Sequence, residues 1–162
     1  MRFNSIFLLI LCVALGACNA SKKAGTKRSK YLPKAFSDIA FNMPMSQVAN
    51  LRDLRSSDLQ DEGFRISVYG PMEHPQIEGA GYYFDNEGDK PLYEVIVVYK
   101  SEELRDAAAA QLLGPPNFEN GKEWRFEQKK GYEIRAWKFK NKLIVTALIP
   151  GTEWYDEAHG EE

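Results

Sequence analysis

Tyr132-Glu-Ile-Arg-Ala-Trp-Lys-Phe-Lys-Asn-Lys-Leu-Ile-Val-Thr-Ala-Leu-Ile149 is the stretch that decides the fold. Its first eight residues alternate, with Tyr132, Ile134 and Ala136 on one side and Trp137 and Phe139 on the other, the period of a β-strand. Lys140-Asn141-Lys142 has room only for a tight hairpin, and Asn141 is suited to the positive φ such turns require. Leu143 to Ile149 is an almost wholly apolar strand, stopped by Pro150-Gly151. Two strands joined by so short a turn run antiparallel.

Reading backward, Glu123–Glu127 forms another strand with Trp124 and Phe126 on one face, joined to the next by a turn at 128–131. Ser101 can cap a helix, Glu102 and Glu103 suit its positive end, and Gly114-Pro115-Pro116 stops it near Leu113. Leu104, Ala108 and Leu112 predict its buried stripe. Strands are expected at Phe64–Tyr69, Gly81–Phe84 and Leu92–Tyr99, with polar loops at 58–63, 72–78 and 85–89. Met45, Val48 and Leu51 recur at helical spacing, and Pro44 suits the start of that helix. Phe36, Ile39 and Phe41 predict a short extended segment on the core.

The order is thus helix, three strands, helix, three strands. The expected architecture is α+β: an antiparallel sheet of about six strands with two helices on one face, order αβββαβββ. Residues 36–99 and 101–149 share this order, the pattern of a tandem repeat.

At the amino terminus, Arg2 precedes the apolar run Ile6–Leu15, too short to span a bilayer, and Leu15-Gly16-Ala17-Cys18 closes it. This has the build of a secretory signal. Leu15-Gly16-Ala17-Cys18 also resembles the lipobox of bacterial lipoprotein precursors. The resemblance implies cleavage between Ala17 and Cys18 and a covalent lipid, palmitate included, on Cys18. An ordinary signal cut nearby, with Cys18 an incidental thiol, is the alternative reading. Cys12 and Cys18 are the only cysteines, so a lipidated mature chain keeps none for a disulfide, a zinc site or a nucleophile.

The expected division is 1–17 signal peptide, 18–33 lipidated cysteine with a basic flexible tether, 34–156 a single α+β domain, and 157–162 an acidic tail. Lys22, Lys23, Lys27, Arg28 and Lys30 give the tether five positive charges and no negative one, suited to an anionic membrane surface. From Lys34 onward there are 15 basic and 23 acidic residues, a balance of −8. That balance argues against nucleic-acid binding, which needs a basic face.

The chemistry-bearing residues are sparse. His74 and His159 are the only histidines, and neither has a second at metal-ligand spacing. No Gly-x-Ser-x-Gly elbow or phosphate-binding glycine loop occurs. Glu102-Glu103 and Asp61-Glu62 read as cap and solvated loop rather than catalytic carboxylates. Asp85, Glu87 and Asp89 have part of a calcium-loop spacing, but Gly88 is misplaced and no glutamate closes the loop. No enzyme activity, metal or cofactor beyond the lipid on Cys18 is expected. The aromatic supply is large: Trp124, Trp137 and Trp154 together with Tyr82, Tyr83, Tyr93, Tyr99 and Tyr132. These rings either fill the core or line a protein-binding face, and the three tryptophans are the candidate binding residues.

A second resemblance rests on the lipobox, the basic tether, Met43-Pro44-Met45-Ser46-Gln47-Val48 and Leu113-Gly114-Pro115-Pro116. These are similar to the small outer-membrane lipoproteins of the BamE/SmpA type and to the β-lactamase-inhibitor-like fold. Asn42 and Pro44 depart from the family's helix start, and no Leu-Gly-x-Pro turn follows the first helix. The expected function is that of a membrane-anchored lipoprotein of the bacterial envelope. It would sit in the outer membrane facing the periplasm and bind another envelope protein in outer-membrane assembly or maintenance. The alternative is an inhibitor or immunity protein against an envelope hydrolase, acting through loop 71–79 or 85–90.

Overall fold

The computed structural model describes residues 29–128 and 131–160. The lipobox, with Ala17 and Cys18, lies outside them, as do Lys22, Lys23, Lys27 and Arg28 and the centre of the turn at 128–131.

The elements are α1 (Met45–Arg52), β1 (Gln60–Asp61), β2 (Arg65–Pro71), β3 (Ile77–Asp85), β4 (Leu92–Tyr99), α2 (Glu102–Leu113), β5 (Glu123–Phe126), β6 (Glu133–Phe139), β7 (Lys142–Leu148) and α3 (Glu153–His159). All strands join one antiparallel sheet in the order β1-β2-β3-β4-β7-β6-β5. The α+β class and the antiparallel sheet agree with expectation. The sheet has seven strands rather than six, because Gln60 and Asp61, inside the expected polar loop, pair with Ser67 and Ile66. Among the described residues the helices number three rather than two. Thr152 caps the third, accepting from the Tyr155 N–H, in a segment that carries no apolar period of its own.

The core lies on one face of the sheet. Val68, Tyr82, Val95 and Val145 form one row across it, all buried. Phe36, Ile39 and Val48 close over them, and Phe36 meets Tyr82 with ring centroids 6.5 Å apart. On the same face Lys138 of β6 bonds Asp106 of α2 at 2.9 Å. Each half runs helix then meander, and the last strands, β4 and β7, pair with each other.

Four local expectations change. Tyr31 and Leu32, placed in the flexible tether, are buried; Tyr31 stacks on Phe126 at 4.7 Å, so the folded unit begins before residue 34. The Phe126 ring and the Gln128 amide, which donates to the Tyr31 hydroxyl, hold Tyr31 in place, and Leu32 joins the core. Leu51 is 45% exposed, and the inner face of α1 runs through Val48 and Arg52 instead. Arg52 points back over the Phe36 ring, donates to the Ala35 carbonyl and pairs with Asp38, satisfying part of its charge within the fold. On α2 the deepest residues are Arg105, Ala109 and Leu113, one position on from the expected stripe, with Leu104, Ala108 and Leu112 flanking them. At the β6–β7 turn the positive φ falls on Lys140, at 51°, not Asn141. The Asn141 amide instead donates to the Tyr99 carbonyl on β4.

Candidate functional site

The second face of the sheet carries no helix across its middle among the described residues. Strand register arranges its side chains in transverse rows. One row is Ser67, Tyr83, Glu94, Thr146, Arg135 and Arg125. The next is Tyr69, Gly81, Ile96, Ile144, Trp137 and Glu123. A third contains Gly79, Val98, Lys142 and Phe139. The face is thus a polar band beside an apolar one, and its aromatic members stand at both ends of the apolar rows. Tyr69 is 50% and Phe139 56% exposed, and Trp137 is half-buried. Between Tyr69 and Tyr83 lies a groove of about 230 Å³, floored by Gly81 and bounded by Ile96, Val98 and Lys142.

Two glycines make that shape. A Cβ on Gly79 would lie 2.2 Å from the Tyr69 hydroxyl and 2.8 Å from the Gly70 carbonyl, so the tyrosine rests on a glycine shelf. A Cβ on Gly81 would crowd the Tyr83 ring at 3.3 Å and narrow the groove. Both positions act through a missing side chain, a use of glycine that local sequence does not distinguish from a turn.

The polar band holds one unusual ionisable group. Glu94 is 8% exposed, and burial pushes its carboxyl up to about 7 against the opposing pull of the Arg65 charge. Arg65 itself is engaged by Glu62 at 2.7 Å and lies over the rings of Phe64 and Tyr83. Arg135 is paired with Glu133 at 2.7 Å. α3 flanks one end of the face: Trp154 stacks on Tyr93 with centroids 6.0 Å apart, and the Glu153 N–H donates to the Asp85 carboxylate at 3.0 Å.

The three candidate tryptophans separate. Trp137 is on this face. Trp154 is half-buried at its edge, its indole nitrogen unpartnered among the described residues. Trp124 is 2% exposed on the helix side and bonds the Gly114 carbonyl, so it is a core residue and not part of a binding surface. The reason is parity: Trp124 faces the same way as Ala136 and Val145, toward α2. Of the candidate tether residues, Lys30 is exposed, its ammonium 4.8 Å from the Tyr31 ring centre. The exposed aromatics Tyr69 and Phe139 were not among the candidates. Period-two alternation in their strands marks them as opposite to Val68 and Ala136, and only the strand order shows which side is covered.

Several other titratable groups have structural partners. His74 accepts the N–H groups of Gln76 and Ile77, both at 3.2 Å. Tyr155 stacks on His159 at 4.2 Å, within α3. Asp61 accepts from the Gly63 N–H, and Glu62 pairs with Arg65. Asp85 accepts from Glu87 and Glu153 backbone N–H groups, holding the 85–90 loop against α3. No three His, Cys, Asp or Glu side chains among the described residues are grouped to hold a metal ion. No helix among them is long and apolar enough to cross a membrane.

Compared with protein-family models, curated proteins and solved structures, the chain matches none.

Proposed function

We propose that this chain is a lipid-anchored, non-catalytic binding domain of the bacterial envelope, and that it meets a partner protein with the helix-free face of its sheet. The observation that carries the reading is the set of apolar rows across that face, with Tyr69, Trp137 and Phe139 exposed or half-exposed at their ends. Tyr and Trp are favoured at protein interfaces because a rigid ring contributes large contact area for few frozen torsions. The lipobox resemblance supports the anchor on Cys18, and the basic stretch from Lys22 to Lys30 supports a membrane-proximal tether. A role in outer-membrane assembly or maintenance follows from the BamE/SmpA-type resemblance alone. The shared helix-then-meander order of the two halves, joined through β4 and β7, supports the tandem-repeat origin.

The inhibitor reading draws on a different observation. The 85–90 loop is held by the Asp85 bonds and by the Lys90 N–H bonding the Glu87 carbonyl at 2.9 Å, beside a cleft of about 520 Å³. A pre-ordered exposed loop is what insertion into an active site requires.

The test is a cross-linked pull-down of the tagged full-length chain from native membranes, with Cys18→Ser and a Trp137→Ala, Phe139→Ala double variant. Recovery of an envelope membrane protein, lost in both, supports the reading. Detergent-phase partitioning that is unchanged in Cys18→Ser overturns the anchor. Equal recovery by the double variant overturns the assignment of the face. Recovery of a soluble hydrolase that depends on residues 85–90 favours the inhibitor.

A further inference from the structure

The groove between Tyr69 and Tyr83 encloses about 230 Å³. Small-molecule and cofactor sites run from roughly 300 to 1,000 Å³, so this one falls short of them. It leaves room for one large side chain, the scale of the pockets that receive anchor residues at protein interfaces. Its shape is set before anything enters. Tyr69 rests on Gly79, where no Cβ lifts the ring, and Gly81 keeps the floor open beside Tyr83. Half-buried Ile96 and Val98 continue the floor as an aliphatic strip. A preformed pocket avoids the cost of ordering its own side chains on binding.

Charge marks the far end of the groove. Lys142 lines it, and the parity of β7 places Lys142 on the same face as Ile144 and Thr146. Register sets it opposite Val98 on one side and Phe139 on the other. Lys142 is half-buried and makes no ion pair among the described residues, whereas Arg65 and Arg135 on this face are paired with Glu62 and Glu133. Glu78 lies near Tyr69 and Glu94 opposite Tyr83, but neither carboxylate lines the groove. An aromatic-walled apolar groove that ends in an unpaired cation is complementary to an apolar side chain with a carboxylate close by.

We propose that the groove binds an extended segment of the partner protein, which places one large apolar side chain between Tyr69 and Tyr83 and an Asp or Glu two residues away against Lys142. The inference rests on the reading that a partner protein meets this face, and it names the chemistry of the partner's contact. The spacing follows from strand geometry. Gly81 on β3 and Lys142 on β7 are two strands apart, about 10 Å, and same-face residues of an extended chain repeat every 7 Å or so. The lysine side chain spans the difference.

The test is selection of a displayed random dodecapeptide library on the full-length Cys18→Ser chain. The selected peptides should share a large apolar residue with Asp or Glu two positions away. A synthetic consensus peptide, titrated by fluorescence anisotropy, should bind Gly81→Val about tenfold more weakly, because that side chain fills the groove. Selection repeated on Lys142→Glu should exchange the acidic position for Lys or Arg. Both variants should keep the parent circular dichroism; if Gly81→Val does not fold, the exchange on Lys142→Glu decides. No consensus, a consensus without the acidic position, or equal binding by Gly81→Val overturns the proposal. So does sedimentation showing self-association that Gly81→Val abolishes, since the occupant would then be a second copy of this chain. A native partner lost by the Trp137→Ala, Phe139→Ala variant, with no such consensus selected, leaves the reading of the face standing and removes the groove assignment alone.

Discussion

The indole N–H of Trp124 donates to the carbonyl oxygen of Gly114 at 3.0 Å, tying the edge strand β5 to the end of α2. Gly114 sits at φ 73°, a conformation that turns its carbonyl away from the helix and toward the ring. The bond satisfies a carbonyl that a helix end otherwise leaves free. Trp124→Phe should destabilise the fold by about 2 kcal/mol, from lost packing and an unpaired carbonyl. Urea denaturation measures this, and partner recovery in the pull-down should be unchanged because the ring is not on the proposed binding face.

Phe139 is different in kind. It is 56% exposed, so Phe139→Ala should change stability by less than about 1 kcal/mol. As an interface anchor it should weaken partner binding by about 2 kcal/mol, roughly thirtyfold. Surface plasmon resonance with the recovered partner, set beside the urea midpoint, separates the two effects. A loss of binding that merely follows a loss of stability would refute the role of Phe139.

Gly79 should not tolerate a methyl group. The Gly79→Ala side chain would collide with the Tyr69 ring and press on the Gly70 carbonyl. Tyr69 can swing outward, but the carbonyl belongs to the paired strand and cannot. A destabilisation of about 1–3 kcal/mol is expected by denaturation, together with faster amide exchange at Tyr69 and Gly70.

Glu94 makes stability depend on pH. Its ordinary value is 4.5, and burial raises it to about 7 in the folded chain. Between those values the native state binds more protons than the unfolded state. Stability is therefore highest below the unfolded value, falls as pH rises from about 4.5 to 7, and stays lower above it. The loss is on the order of 3 kcal/mol. Glu94→Gln should remove this dependence, gaining on wild type at pH 8 and matching it near pH 4. Guanidinium unfolding at the two pH values checks it; parallel curves for both chains would sink the assignment.

Asp85 connects the 85–90 loop to α3. Its two oxygens accept from Glu87 and Glu153 at 2.8 and 3.0 Å. Asp85→Ala should release α3, at a cost of about 1–3 kcal/mol. Hydrogen exchange should then rise across residues 153–159, and Trp154 fluorescence should shift red as the ring leaves Tyr93.

Much of the fold was legible from local pattern. The strand at Leu92–Tyr99, the helix ending at Gly114 and the hairpin after Phe139 each carry their own period or breaker, so neighbours in sequence suffice to define them. Other elements lacked such a signal. β1 is two residues long and exists only because Ser67 and Ile66 present an unpaired edge. α3 is an acidic segment whose place depends on Thr152, Asp85 and the Tyr93 ring.

The candidate site divides in the same way. Alternation alone determined that Trp137 and Phe139 face opposite to Ala136, and residue chemistry alone determined that cysteine and paired-histidine chemistry have little material here. Which side of the sheet is covered was decided by the tertiary structure, because it depends on where α1 and α2 come to rest. That arrangement buries Trp124 and leaves Tyr69 exposed, brings Glu94 beside Thr146 from the other half of the chain, and encloses the Tyr99 hydroxyl. Strand register acts between residues far apart in sequence, and a two-residue period cannot say which of its two faces will meet water.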